Sequence, residues 1–148
     1  MQGTLSILQG GLLLLGLFAV MWVVSLWFAS RVGGWRRLAE LFGFSGLFVG
    51  PMTRSASARI RFLVYRRTLR LGVSEQGLFL APKWSVRLFH PPLLIPWSQI
   101  EAEMRGRGIW AWNGLRLTFP AVPNAAITFY ARELDIVLPH VGAEGPDR

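Results

Sequence analysis

Two histidines, His90 and His140, and two glutamates, Glu101 and Glu103, are the side chains whose types could hold a metal or move a proton. His90 precedes two prolines and His140 follows one. Neither has a second His or a carboxylate at metal-ligand spacing. Glu101 and Glu103 stand two apart, so on a strand they share a face, and paired carboxylates can do acid–base work. Two glutamates on the wet side of a strand are far commoner. The chain has no Cys, which excludes a disulfide, a thiolate metal site and a cysteine nucleophile. It also lacks a phosphate-binding glycine loop, a G-x-S-x-G elbow and a zinc signature. The residue types therefore point to binding, with no metal, cofactor or small-molecule substrate implied and an enzyme built on His90, Glu101 and Glu103 as the weakest reading.

Binding chemistry lies in the arginines. The net charge is +8 over 148 residues. Residues 31–70 hold nine Arg and one Glu, whereas residues 71–148 hold seven basic and seven acidic groups. The excess is Arg31, Arg36, Arg37, Arg54, Arg59, Arg61, Arg66, Arg67 and Arg70. It directly follows residues 1–30, which contain no charged side chain. The run 5–29 is almost wholly apolar and longer than the ~20 residues a bilayer core needs as a helix, so a tilted transmembrane anchor is expected. A cleaved signal peptide fits less well, because the leading residues lack Lys and Arg and no small-x-small site ends the run. The arginines on the C-terminal flank orient the anchor with its N-terminus outside and the remaining chain in the cytoplasm, as in a bacterial inner membrane. Trp27 and Trp35 fit an aromatic belt there, beside Arg31, Arg36, Arg37 and Arg54. The span has no ionisable group and no imidazole, which argues against an ion pathway or a ligated pigment. Ser6, Gly10, Gly16, Ala19, Ser25 and Ala29 are small residues that could let a partner helix approach.

The elements behind the anchor follow from periodicity. Residues 35–42 (WRRLAELF) read as a short amphipathic helix with Trp35, Leu38, Ala39 and Phe42 on one face. That face fits lipid at the interface and fits a protein surface equally well. Residues 31–57 thus make a juxtamembrane helix and a linker, with an apolar patch at Leu47, Phe48 and Val49 that needs a cover. From residue 58 the period becomes two. Strands are expected near 58–64, 69–73, 78–81, 86–89, 99–105, 109–112, 115–119, 126–130 and 135–138. Pro91, Pro92 and Pro96 confine 90–97 to an edge strand or extended segment. Asn113-Gly114 is a strong hairpin signal. A small antiparallel barrel or sandwich over 58–140 follows, with a polar tail at 141–148.

The stretches LGVSEQGLFLAP (71–82) and HPPLLIPWSQI (90–100), with GWRRLAELF (34–42) upstream, resemble uncharacterised bacterial single-pass membrane proteins with a pleckstrin-homology-like β domain. The resemblance covers about residues 33–102. It implies a PH-like fold, no catalytic residues and a fold-determining role for Pro96 and Trp97. Such folds end in a capping helix, but Pro139 and Gly142 leave none evident here.

Two functions fit these residues. One is a non-enzymatic accessory subunit, whose helix docks beside other integral membrane subunits of a larger complex, by analogy an energy-converting one of respiratory or photosynthetic type. The other is a module whose Arg59, Arg61, Arg66, Arg67 and Arg70 contact anionic lipid headgroups or a protein partner. Nucleic acid is disfavoured, since the basic cluster abuts the bilayer and no recognition helix is evident.

Overall fold

A computed structural model describes residues 2–105, 114–130 and 132–142. The expected strand at 109–112 and Asn113 of its Asn113-Gly114 turn lie outside these residues, as do most of the polar tail and Met1.

Helix α1 (Gln2–Val32) has 31 residues, about 46 Å at 1.5 Å per residue. It is long and apolar enough to cross a membrane. Nearly all of its side chains are exposed, and only its last turns touch the rest of the chain, through buried Leu26 and Ser30. Gly33 and Gly34 then redirect the backbone. Gly34 has φ of +87°, a conformation that glycine adopts without Cβ strain, and it starts helix α2 (Trp35–Phe42).

Seven strands follow: β1 (Met52–Ile60), β2 (Leu63–Ser74), β3 (Gly77–Pro82), β4 (Leu93–Ile95), β5 (Glu101–Arg105), β6 (Gly114–Thr118) and β7 (Ile127–Tyr130). They form one antiparallel sheet of order β4-β3-β2-β1-β7-β6-β5, curled into a half-barrel. The inner face is lined by Ile60, Leu69, Leu71, Leu80, Leu117, Ile127 and Phe129, all fully buried. Helix α3 (Arg132–Val141) closes the core with Val137. Glu133 on α3 accepts a 2.9 Å hydrogen bond from the Ser57 backbone N–H, beside the register shift in β1 between Ala56 and Ala58. A bulge leaves a strand N–H unpaired, and the carboxylate satisfies it.

Several expectations need correction. The first strand begins at Met52, inside the segment read as linker. Its hairpin turns at Arg61-Phe62, and β2 runs unbroken through Arg66 and Arg67. Arg67 has φ of 54°, an irregularity that exposes two successive arginines and so mimics a turn in the alternation. Residues 86–89 are no strand but the end of a 3₁₀ turn (Trp84–Val86) and a bend with Phe89 at φ 64°. Residues 135–138 are helical. Leu134, Val137, Leu138 and Val141 recur at helical spacing, but Ile136 and Leu138 alone suggested a period of two. Pro139 lies in the last turns of α3 without ending it at once.

The linker has a structural task. Gly43 bridges to Leu93 at the β4 edge, and the Phe44 N–H donates to the Pro92 carbonyl at 2.8 Å. The Phe48 ring stacks on Phe79 with centroids 4.4 Å apart. A Cβ on Gly72 would meet that ring at 2.5 Å, so Gly72 admits it. Strand β3 is thereby buried on both faces. Phe48 has its cover, but Leu47 remains 89% exposed and Val49 beside it is exposed as well.

Candidate functional site

Trp35 is not in a lipid-facing belt. It is fully buried, because α2 turns its apolar face onto the β domain. Its indole N–H donates to the Pro91 carbonyl at 2.9 Å, and its ring meets Tyr65 and His90 with centroids 5.7 and 5.4 Å away. The open choice for α2 is settled toward protein packing. Arg36 and Arg37 stay exposed on the other face, with Arg36 paired to Glu40 at 3.2 Å.

His90 is fully buried within this cluster. Its Nδ1 lies 2.9 Å from the Leu88 carbonyl, which can only accept, so Nδ1 carries the proton. Its Nε2 then accepts from the Tyr65 hydroxyl at 3.1 Å. Burial holds the imidazole below its ordinary value of 6.5, against the opposing pull of the Leu88 hydrogen bond. Burial also pushes the Tyr65 phenol up to about 12. Both groups are neutral at pH 7. Unfolding at low pH lets His90 bind a proton that the folded state resists. Stability from this site is therefore full above pH 6.5 and declines as pH falls through the range below it. Thermal melts of the full chain in detergent at pH 7.5 and pH 5 should show a drop in Tm. The drop should shrink in His90→Gln, and an equal drop in both proteins would contradict this account.

The three residues of the enzymatic reading are not brought together. The ring nitrogens of His90 face Leu88 and Tyr65, not a carboxylate. Glu101 and Glu103 are exposed on the edge strand β5, and Glu103 pairs with Arg105 at 3.5 Å. His140 stacks on Trp97 at 5.2 Å. Trp97 is half-buried against the core, and its N–H donates to the Ser74 carbonyl at 2.8 Å. Among the described residues no three acidic or histidine side chains could hold a metal ion.

The arginines are brought together. Strands β1 and β2 pair Met52 with Gly72 and Arg59 with Val64, and their outward positions carry Arg54, Arg59, Arg66, Arg67 and Arg70, all exposed. Arg61 extends this face at the hairpin tip. None of these guanidinium groups forms an ion pair among the described residues. Arg54 and Arg70 also line a cleft of about 710 Å³ with Gly50, Met52, Lys83 and Trp84. The Lys83 ammonium is half-buried, and its hydrogen bond is to the Ser55 hydroxyl at 3.3 Å. Trp84 is 87% exposed at the rim. Three cations in one cleft, with an aromatic plane at its mouth and no carboxylate in its lining, suit an anion that carries an apolar neighbour. The sequence analysis singled out neither Lys83 nor Trp84, which fall between the strands expected at 78–81 and 86–89. A lone Lys beside an unexplained Trp was the available signal.

At the end of α1, the Arg31 guanidinium lies over the Trp27 ring, 4.5 Å from its centroid. Ser6, Gly10, Gly16, Ala19 and Ser25 all lie on exposed parts of α1, while Ala29 is half-buried against the domain. The hydroxyls of Ser6 and Ser25 bond back to the Gly3 and Met21 carbonyls, at 2.9 and 2.7 Å.

Comparison with known proteins gives no match: no family model, no curated protein and no solved structure is similar to this chain. Its function is read from its own geometry.

Proposed function

We propose that this chain is a non-enzymatic membrane module. In this reading α1 spans the bacterial inner membrane with its N-terminus outside, and a pleckstrin-homology-like β domain lies on the cytoplasmic face. Its basic hairpin face and the cleft of Arg54, Arg70 and Lys83 hold anionic lipid headgroups. The observation that carries the reading is the unpaired cationic face of β1 and β2, joined by α2 to the end of an apolar helix. The strand order and the closing helix α3 support the PH-like part. Anionic headgroups supply the missing counter-charge, at about 1 kcal/mol for each near-surface Arg or Lys. Native mass spectrometry of the full chain, released from bilayers that mix zwitterionic and anionic lipid, tests this. Anionic lipid should be retained selectively at low salt and lost at high salt, since screening shortens the reach of surface charges. Retention that ignores both headgroup charge and salt would contradict it.

A second reading, an accessory subunit on a larger membrane complex, is favoured by a different surface. Leu47 and Val49 line a cleft of about 340 Å³ with Phe44 and Phe48, and both are strongly exposed apolar side chains on a linker. Exposed apolar patches of this kind mark protein contacts. Co-purification of further integral membrane subunits in mild detergent would support this reading, and migration as a lone chain would sink it.

A further inference from the structure

We infer that the β domain enters the membrane itself: the β1–β2 turn and the β3–β4 connection insert apolar tips into the leaflet from which α1 emerges. This rests on the reading that α1 spans the bilayer, and goes beyond headgroup binding by assigning a second, apolar foothold.

The contacts gather both loops at the exit of α1. Arg61 Nη1 donates to the carbonyl of Val32, the last residue of α1, at 3.2 Å. A Cβ on Gly33 would meet Leu63 Cδ1 at 2.5 Å, so the start of β2 is packed on the end of the anchor. The β3–β4 connection reaches the same region through His90 and Pro91. His90 meets Tyr65 of β2, and the Pro91 carbonyl receives the indole N–H of Trp35, three residues after α1 ends.

The exposed side chains of these two loops are of an unusual kind. Phe62 on the first, Val64 just after it at the start of β2, and Leu88 and Phe89 on the second are all about half-exposed. Arg61 and Arg87 stand among them, and Arg31 lies at the helix end. Large apolar tips ringed by cations that form no ion pair among the described residues match a medium that is apolar within and anionic at its rim. The long Arg stems can lie along apolar surface while their heads stay at the headgroups. The backbone supports the same view. Arg61 and Phe89 both adopt positive φ, 56° and 64°, a region that non-glycine residues rarely occupy and that persists where the surroundings hold it. The exposed Leu47 and Val49 differ, since their cleft is lined by Glu75 and contains no cation.

The absence of Cys makes the test clean. Single variants Phe62→Cys, Val64→Cys, Leu88→Cys and Phe89→Cys are spin-labelled in the full chain and placed in nanodiscs containing anionic lipid. Collision with oxygen is compared with collision with a water-soluble nickel chelate. Leu14→Cys in α1 and Val49→Cys in the linker serve as references. The expected result is oxygen-dominated collision at 62 and 89, between the deep value at 14 and the aqueous value at 49. Nickel-dominated collision at all four loop positions, with 14 still deep, overturns the inference and leaves the anchor standing. Protection from both reagents at the four positions overturns it too, because the loops would then be covered by protein. An aqueous value at 14 overturns the anchor and the inference together.

Discussion

Replacing Trp35 by Ala should destabilise the β domain by about 3–5 kcal/mol, the range for deleting a fully buried large aromatic. The side chain has no exposure, so its removal leaves a cavity between α2 and the loop that carries His90. The Pro91 carbonyl also loses its donor, but Pro91 is exposed, so water replaces the lost partner and the cavity sets the effect. Denaturant unfolding of the full chain in detergent measures this through the midpoint of the β-domain transition. Trp84→Ala is the control, since an exposed side chain away from caps and networks changes stability by about 0.5 kcal/mol or less. Equal, small effects from the two substitutions would place Trp35 outside the core.

That prediction reverses what the sequence suggested, and the reason is instructive. A Trp beside two arginines, just after an apolar helix, satisfies every local criterion for a membrane-interface residue. Only the tertiary partners decide, and Tyr65, His90 and Pro91 lie 30, 55 and 56 positions away. The anchor-like helix was legible because the almost wholly apolar run 5–29 needs no partner to be recognised. Strand β3 was legible because Gly77 and Pro82 mark its ends. Strand β1 was hidden because Met52–Ile60 alternates small and polar residues, and its inward positions 56 and 58 are only alanines. Helix α3 was hidden by Pro139 and by a short apolar run that fits two periods. Of the candidate site, the arginines could be listed from the sequence. Their gathering on one face required the β1–β2 register, and Lys83 joined them only through the turn after β3.

Neutralising the cleft should have the largest effect on lipid association. The triple variant Arg54→Gln, Arg70→Gln, Lys83→Gln removes three cations that line one cavity. At about 1 kcal/mol each near an anionic surface, the loss is about 3 kcal/mol, or roughly 100-fold in affinity. The triple variant should retain far less anionic lipid in the mass-spectrometric assay and show a weaker salt dependence, carried by the remaining hairpin arginines. Arg36→Gln and Arg105→Gln are the matched controls, since each already faces a carboxylate, Glu40 or Glu103, at 3.2 and 3.5 Å. They should leave retention nearly unchanged. Equal losses from both sets would mean that overall charge, and not the cleft, sets the association.

The lipid-binding reading depends on which side of a membrane the basic face occupies, and the Cys-free chain allows that to be read directly. Thr4→Cys and Leu47→Cys place single thiols at opposite ends of the molecule, one in the first turns of α1 and one on the exposed linker. Each full-length variant is expressed in bacterial cells and treated as spheroplasts with a membrane-impermeant maleimide, before and after lysis. The account predicts that Thr4→Cys is labelled in intact spheroplasts, that Leu47→Cys is labelled only after lysis, and that both remain in the membrane fraction at full length. Labelling of Leu47→Cys in intact spheroplasts, or its release as a shortened soluble chain, would contradict it.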